Sequence, residues 1–490
     1  MKAFYSKHPN IVLLIMSFLM SSVIILLSCS LASFLYPTIA MQPYYNDPST
    51  FVIMGKEMAA GKTPYIEIFD HKGLYIFYIT VLYAFLGKFG IFLVMSIFMT
   101  MSLLFLLLTL KALDYGKRTT ACGLLFFAAL YTFFAQFPGD ADAIVMVGMM
   151  MFYFYIRGYK ENNDKLFLVA CILAGVSAGI AMNIRPSDAM LGFAFMIFYI
   201  VKRIREKRIA LMIRDSLLCL LALAISALPA YIHALAGGFL NEMVDAVFLS
   251  NFKYMGSAAD KSVALMWLSR FIVVGIFVSL FLLWFFKRKE YQLEESLFIL
   301  IISGIIMVLQ FIIALFAHYL ISVSGFIALA LVIVSNKYQL LKEERKPAKP
   351  ITTVLVAIFA ASLLFNPVLY LSQLWKDKAD IAYIKDNISE EERREHTFLF
   401  SVYPGLYLNT GINVIYPDFN AQTYHMKLSK NFTEEHMANF IQSDECHYVV
   451  TRFSKYDDVI KLMGDDMTKW SKIDAKTWFP TTLIIFKHNL

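Results

Sequence analysis

Long runs of apolar residues, separated by short polar segments, dominate the first three-quarters of the chain. Eleven of these runs are long enough, or nearly so, to cross about 30 Å of hydrocarbon as helices. They cover residues 11–35, 90–112, 119–137, 143–157, 166–182, 187–201, 216–235, 263–286, 295–316, 319–335 and 351–370. The pattern predicts a polytopic α-helical membrane protein of about 11 transmembrane helices. The first run is too long for a signal-peptide core and is expected to be a retained span.

A further apolar run, residues 74–86, is short and ends at Gly87-Lys88. If it does not span, the basic clusters between spans all fall on one side, and they hold 22 of the 44 Lys and Arg residues. Cytoplasmic loops are enriched in basic residues, so this arrangement predicts a cytoplasmic amino terminus. Residues 74–86 are then expected to form a helix lying in the outer interface.

The pattern changes after residue 370. Residues 371–490 carry 14 basic and 17 acidic side chains, in contrast to the basic inner loops. Strand-like and helix-like runs alternate there, at His396–Val402, Tyr448–Thr451 and Thr482–Lys487, and at Glu390–Glu395 and Thr433–Ser443. We therefore predict two domains: a transmembrane domain, residues 1–370, that includes an outer loop at 41–89, and a small extracytoplasmic α/β domain, residues 371–490.

Composition narrows the functional classes. With 59% hydrophobic and 17% charged residues, the chain lies outside the range of soluble domains. The net charge of +7 comes from inner loops such as Lys202–Arg208, which excludes nucleic acid as a partner and predicts contacts with membrane lipids. Only Cys446 lies in a soluble stretch, so there is no disulfide framework, and this favours the plasma membrane of a bacterium.

The outer loop between the first two spans is rich in charged and polar side chains. Asp47-Pro48-Ser49 can begin a helix that Gly61 ends, and a second short helix is expected after Pro64. The loop carries six titratable side chains of interest: Asp47, Glu57, Glu67, Asp70, His71 and Lys72. Two interpretations stand beside each other. The loop is either a solvated connection whose Asp47 only caps a helix, or a carboxylate base beside cations that hold a phosphate.

Three later motifs also place polar residues near the outer face. They are Phe137-Pro138-Gly139-Asp140-Ala141-Asp142, Asn183-Ile184-Arg185-Pro186 and His318-Tyr319. An arginine near the outer end of a span is costly unless it is paired or faces a cavity, so Arg185 is either a phosphate ligand or a snorkelling side chain. Two carboxylates without a third ligand are weak grounds for a metal site. No obligatory metal or other cofactor is expected, and a divalent cation at Asp140 and Asp142 is kept as an alternative.

The outer-loop strings resemble a known family. Asn46-Asp47-Pro48-Ser49, Gly61-Lys62-Thr63-Pro64-Tyr65 and Phe69-Asp70-His71-Lys72-Gly73 are similar to the first outer loop of GT-C glycosyltransferases. The similarity is to the bacterial branch related to protein O-mannosyltransferases and aminoarabinose transferases. Departures are Asn46 where many relatives have a carboxylate, Leu74 where they have proline, and Asp140 and Asp142 where a glutamate is common.

The resemblance implies an inverting hexosyl or pentosyl transfer from a polyprenyl-phosphate-linked sugar to a cell-surface glycan or lipid on the outer membrane face. It implies that Asp47 is the catalytic base and that Lys72, Arg185 and His71 bind the donor phosphate. Supporting or acceptor-binding roles fall to Asp70, Asp140, Asp142, His318 and Tyr319. The residues alone leave two alternatives, a transporter or flippase of a lipid-linked sugar and a non-catalytic membrane scaffold.

Overall fold

A computed structural model of the protein describes residues 9–28, 47–134, 141–250, 297, 299–305, 308, 320–337, 354, 357, 361, 378–419, 421, 432–473 and 481–489. Over these residues the chain is mostly helical, with one small sheet. It divides into two compact units. The first contains residues 1–29, 92–232 and 258–366, and the second contains residues 30–91, 233–257 and 367–490. The domain boundary predicted at residues 370 and 371 lies outside the described residues and stays a prediction.

The long apolar helices overlap the predicted apolar runs. In chain order they are α1 (Pro9–Ser28), α2 (Asp47–Ala59), α3 (Leu74–Leu86), α4 (Lys88–Ala112), α5 (Lys117–Phe134), α6 (Asp142–Lys160), α7 (Asp164–Met182), α8 (Met190–Arg205), α9 (Ile209–Ala236), α10 (Leu240–Val244), α11 (Ile321–Lys337), α12 (Glu390–Glu395), α13 (Gly405–Thr410), α14 (Glu434–Ile441) and α15 (Tyr456–Met463). A 3₁₀ turn, Pro186–Ala189, precedes α8, and a π-helical turn, Asp245–Leu249, follows α10.

Three helical stretches within the described ranges are long and apolar enough to cross a membrane: Phe89–Ala112, Asp164–Met182 and Ile209–Ala236. Leu13–Ile25, Leu74–Leu86 and Ile321–Lys337 are apolar but shorter. These helices fit a multi-pass membrane protein. The count of eleven spans is not confirmed, since the predicted span at 263–286 lies outside the described residues.

Small residues let the helices of the first unit approach closely. In α6, the ring of Phe326 from α11 occupies the space that a Cβ at Gly148 would need. The same ring lies 5.3 Å from that of Phe152, measured between centroids. Gly175 in α7 faces the main chain of Cys219 in α9 in the same way. Membrane helices associate through such close packing because lipid offers them little hydrophobic driving force.

The second unit contains a four-stranded sheet of order β1-β2-β4-β3. Its strands are β1 (Thr397–Phe400), β2 (Tyr448–Arg452), β3 (Trp470–Ile473) and β4 (Leu483–His488). β1 pairs with β2 in parallel, and β4 is antiparallel to both of its neighbours. Buried Phe398, Val449, Ile484 and Phe486 form part of its core. The three strands predicted from the sequence are confirmed, and β3 was not predicted.

The outer loop begins as predicted and then departs from the prediction. α2 ends at Ala59, and Gly61 adopts a φ of 97°, which favours glycine. No helix follows Pro64 within residues 60–73, so the expectation of a second short helix is wrong. Pro64 instead forms an isolated bridge with Ile68, and the Tyr65 N–H donates to the Ile68 carbonyl at 2.6 Å. Tyr65, at a φ of 65°, cannot continue a right-handed helix.

Candidate functional site

The turn Asp70-His71-Lys72 is held by its own carboxylate. Asp70 is only 3% exposed, and its Oδ1 accepts the backbone N–H of Lys72 at 2.8 Å. The Nδ1 atom of His71 lies 3.8 Å from the same oxygen. An aspartate that bonds the backbone two residues on fixes a turn locally. The structure therefore brings these three predicted residues together, with Asp70 positioning the two cationic candidates.

Tyr65 supports the same turn from the other side. Its hydroxyl donates to the Lys72 carbonyl at 2.7 Å, and the residue is 1% exposed. Its ring packs between Phe77 and Phe239, with centroid distances of 6.2 and 6.1 Å. A buried tyrosine usually finds a hydrogen-bond partner for its hydroxyl. Sequence reasoning did not assign this anchoring role, because the bond depends on the tight loop at residues 64–68.

The outer loop is also tied to residues 414–417 of the second unit. Lys62 Nζ lies 2.9 Å from the Oε2 atom of buried Glu57 and donates to the Val414 carbonyl at 2.7 Å. The N–H of Phe69 donates to the carbonyl of Pro417 at 2.9 Å. Both links join residues that are about 350 positions apart in sequence. Glu57 and Lys62 therefore have a structural role, because they fix the outer loop to residues 414–417.

Glu67 stands apart from this buried set. The Thr63 N–H donates to its Oε2 at 2.6 Å, and this bond holds the pKa of the exposed Glu67 carboxyl below its usual value. A hydrogen bond to the charged form favours that form. Glu67 therefore stabilises the loop and stays ionised at neutral pH. A lowered pKa makes its carboxylate a poorer proton acceptor, so it is not suited to act as the catalytic base.

Asp47, the candidate base, is the first residue of α2. Ser49, two residues further on, is buried, and a Cβ at Gly405 of α13 would lie 3.3 Å from its hydroxyl oxygen. Gly55 lies against α3, where an added Cβ would meet the carbonyl carbon of Thr80 at 2.5 Å. The first turn of α2 thus contacts α13, and the middle of α2 packs against α3, all within the second unit.

Arg185, the other candidate for phosphate, lies in the first unit in a cluster of buried polar groups. Its Nε donates to Asp188 Oδ2 at 2.8 Å, and its Nη2 lies 2.6 Å from the same oxygen. Nη2 also donates to Ser322 Oγ at 3.1 Å, and Ser322 donates to Asp188 Oδ1 at 3.1 Å. Asp188 is fully buried and Arg185 is 7% exposed. Sequence reasoning missed Asp188, although its place three residues after Arg185 was the available signal.

The remaining predicted residues are less fully described. Asp142 is the first residue of α6 and is 3% exposed. Asp140, His318 and Tyr319 lie outside the described residues. Across the described part of the chain, no group of three or more His, Cys, Asp or Glu residues is arranged to hold a metal ion.

A second buried arginine, Arg203, lies at the last turn of α8. It is 0% exposed and donates to the Tyr199 hydroxyl at 2.7 Å, to Asp164 at 2.8 Å and to Glu206 at 3.1 Å. Its guanidinium also lies 4.8 Å from the ring centroid of Phe167. Tyr199 in turn donates to buried Asp215. This network joins α7, α8 and α9, so Arg203 is not among the lipid contacts expected for the run Lys202–Arg208.

Comparison with known proteins adds one family and one structure. Residues 71–233 match the family of dolichyl-phosphate-mannose-protein mannosyltransferases. No curated protein matches the whole-chain sequence. Among solved structures, the chain is similar to the Archaeoglobus fulgidus oligosaccharyltransferase in complex with zinc and sulfate, at 15% identity and a TM-score of 0.45. That alignment covers 92% of this chain and 69% of the other.

The family match begins at His71, inside the turn that Asp70 and Tyr65 hold, and it includes Lys72, Asp142 and Arg185. It leaves out Asp47, which precedes the matched range. The match covers 163 of the 490 residues. Over that range it confirms the resemblance of this chain to the GT-C superfamily of membrane glycosyltransferases.

Proposed function

We propose that this protein transfers a sugar from a polyprenyl-phosphate donor to a glycan or lipid acceptor on the outer face of the bacterial plasma membrane. The acceptor hydroxyl attacks the anomeric carbon, the bond from that carbon to the phosphate oxygen breaks, and the polyprenyl phosphate leaves with inversion. In this proposal the amino terminus is cytoplasmic, the eleven spans form the bundle, and the carboxyl-terminal domain is extracytoplasmic. The observation that carries the proposal is the family match that opens on the His71-Lys72 turn.

Asp47 is proposed as the general base, because the acceptor hydroxyl must lose its proton as it attacks. A carboxylate at the start of α2 belongs to the same compact unit as the turn that carries Lys72. His71 and Lys72 are proposed to neutralise the charge that develops on the leaving phosphate. The bonds from Asp70 and Tyr65 to the Lys72 backbone support this role, since a group that is held in advance need not reorganise during reaction.

Arg185 is proposed as a further phosphate ligand. A guanidinium carries five N–H donors, so its bonds to Asp188 and Ser322 are compatible with one more contact to an anion. The buried carboxylate of Asp188 also offsets the cost of keeping an arginine charged among apolar helices. Asp142 is proposed to support the acceptor, and Asp140, His318 and Tyr319 keep the same proposed role.

The test is sugar transfer by the purified protein in lipid vesicles, with defined polyprenyl-phosphate sugars. Asp47→Asn should lower the rate by about 10²- to 10⁴-fold, the usual contribution of a general base. Lys72→Ala should lower it by about 10²- to 10³-fold, as for one lost electrostatic donor. Glu67→Gln and Lys56→Ala are the matched controls, since they change an exposed carboxylate of the same loop and a partly exposed lysine of α2.

Folded Asp47→Asn and Lys72→Ala variants that both transfer sugar at the rate of the unsubstituted protein would overturn the site assignment. The anomeric configuration of the product, read from its proton NMR coupling, checks the proposed inversion. Retention would rule out a single displacement.

A further inference from the structure

A hydrogen-bonded pair, Tyr78 and His233, lies in the second unit, on helices α3 and α9. The hydroxyl oxygen of Tyr78, on α3, lies 2.7 Å from Nδ1 of His233, in the last turn of α9. The two ring centroids are 5.7 Å apart, and the ring of Tyr75 lies 5.8 Å from that of Tyr78. His233 is exposed and Tyr78 is half-buried. The pair therefore presents a polar edge at the surface of this unit.

A continuous set of contacts links this pair to the Lys72 turn. The Tyr65 hydroxyl holds the Lys72 carbonyl, and the Tyr65 ring packs on Phe239. The ring of Phe239 in turn meets that of His233 edge-on at 5.3 Å. Tyr78 is also connected to the turn along the chain, because its helix, α3, begins two residues after Lys72. The side chain of His233 is thus held on the same framework as the proposed phosphate-binding turn.

The direction of the hydrogen bond between Tyr78 and His233, which depends on the tautomer of the ring, sets what His233 offers to a ligand. When the Tyr78 O–H donates to Nδ1, the neutral imidazole carries its proton on Nε2, because the bond made by one ring nitrogen sets the state of the other. Nε2–H is then a donor aimed away from Tyr78. If the ring gains a second proton, Nδ1–H donates to the phenol oxygen and Nε2–H still faces outward. With Tyr78 as the donor, or with the ring doubly protonated, His233 presents an N–H donor at Nε2.

We propose that His233, oriented by Tyr78, is a binding residue for the phosphate of the lipid-linked donor, acting beside Lys72. A fixed outward N–H is suited to an oxygen that only accepts, and hydrogen bonds to a charged acceptor are the stronger kind. The inference rests on the proposed function, since it assumes that the donor carries a phosphate. Tyr78 is a positioning residue, which acts through His233.

Binding of the leaving lipid tests this inference without turnover. Undecaprenyl monophosphate and the uncharged undecaprenol are titrated into the purified full-length chain in detergent, and each Kd is measured. His233→Ala should raise the Kd for the monophosphate about tenfold, the loss expected for one hydrogen bond to a charged group, and leave that for undecaprenol unchanged. Tyr78→Phe should have a smaller effect in the same direction. Leu235→Ala, an exposed apolar neighbour on α9, is the control and should change neither Kd.

Two amide variants of His233 test whether the N–H donor must lie at the position of Nε2. Glutamine at residue 233 places an N–H near the Nε2 position, so His233→Gln should retain most of the affinity for the monophosphate. Asparagine places it near Nδ1, so His233→Asn should bind as weakly as His233→Ala. Equal binding by all three variants and the unsubstituted chain would overturn the proposal, as would an equal loss for undecaprenol. If His233→Ala does not fold, the comparison of Tyr78→Phe with His233→Gln decides.

The transfer assay separates this inference from the proposed function. If the unsubstituted chain transfers sugar and His233→Ala binds the monophosphate normally, the role of His233 is wrong and the function stands. If His233 governs binding of the monophosphate but no donor supports transfer, the proposed function fails and the phosphate site stands.

Discussion

Two buried arginines lie at the two ends of α8, and they differ in exposure and in hydrogen-bond partners. Arg203, in the last turn, is 0% exposed and is engaged by Tyr199, Asp164 and Glu206. Arg185, just before the 3₁₀ turn that leads into α8, is 7% exposed and is engaged by Asp188 and Ser322. Both charges are compensated, as buried charges must be. The guanidinium of Arg203 also lies over the ring of Phe167.

The comparison separates a structural arginine from a candidate functional one. The partners of Arg203 come from α7, from α8 and from the segment after it, and through Tyr199 the network reaches α9. Asp188 and Ser322, which bond to Arg185, come from the 3₁₀ turn and α11. Removing one partner of a buried pair leaves an uncompensated charge. Substitution at either site should therefore lower stability, and only substitution of Arg185 should also lower the rate of sugar transfer per folded molecule.

The largest effect is expected at Arg203. Asp164 keeps its ion pair with Arg208 and Glu206 keeps its pair with Lys202. Arg203→Ala nevertheless removes a large, fully buried side chain together with its hydrogen bonds, and should lower the free energy of unfolding by about 3–5 kcal/mol. The measurement is thermal or denaturant unfolding of the purified chain in detergent. Lys207→Ala, which removes one exposed positive charge from the same run, is the control and should change stability little. An Arg203→Ala protein as stable as the control would contradict the structural role.

Arg185 is best tested together with its carboxylate. Arg185→Gln alone leaves Asp188 charged and buried, so it should lose both stability and transfer. The double variant Arg185→Gln/Asp188→Asn removes both charges and should regain most of the stability, because two amides can still hydrogen-bond. Its transfer rate should nevertheless stay about 10²-fold low, the usual loss for one electrostatic donor. Recovery of transfer in the double variant would reduce Arg185 to a structural partner.

Tyr199→Phe probes the middle of the Arg203 network. It removes the hydroxyl that bonds to both Arg203 and Asp215, and the unmade bonds should cost about 1–3 kcal/mol of unfolding free energy. Transfer per folded molecule should not change. Tyr159→Phe, at an exposed tyrosine of α6, serves as the control for loss of a phenol. A fall in the transfer rate that exceeds the loss of folded protein would show that the Arg203 network also contributes to sugar transfer.

The smallest effect is expected from Ser322→Ala. Its hydroxyl bonds to both Arg185 and Asp188, and its loss should cost about 1 kcal/mol of unfolding free energy. Transfer should fall only a few-fold, since Arg185 keeps its bond to Asp188. Ser324→Ala is the matched control, because Ser324 is buried on the same helix and its hydroxyl donates to the carbonyl of Ile321, not to Arg185 or Asp188. A loss of transfer as large as that of the Arg185 double variant would assign the ligand-facing role to Ser322.

Local signals in the sequence predicted individual elements well. α3 covers Leu74–Leu86, the run predicted, and α12 covers Glu390–Glu395. The start of α14 follows its cap, since the Thr433 hydroxyl accepts the N–H of His436 at 3.3 Å. Each depends on hydropathy or capping within a few residues. β3 was missed because its four residues include polar Ser471 and Lys472 and gain their order from pairing with β4.

The candidate site was predicted in parts. Asp70, His71 and Lys72 are adjacent in sequence, so their proximity needed no knowledge of the fold. The helix expected after Pro64 was wrong because a bridge from Pro64 to Ile68 competes with helical bonding. Asp188 and His233 were not proposed at all. The role of each depends on a partner from another helix, Ser322 in one case and Tyr78 in the other.

The sequence by itself determined that the protein is a helical membrane protein, where its long apolar helices lie, and that its outer loop resembles that of GT-C glycosyltransferases. Hydropathy, caps and short motifs act over a few residues, so they can be read along the chain. Only the tertiary structure decided which charges are buried and what compensates them. Arg185 bonds to a serine 137 positions away, and Lys62 to a carbonyl 352 positions away. The energy of a buried charge is set by neighbours that only the folded chain brings within reach.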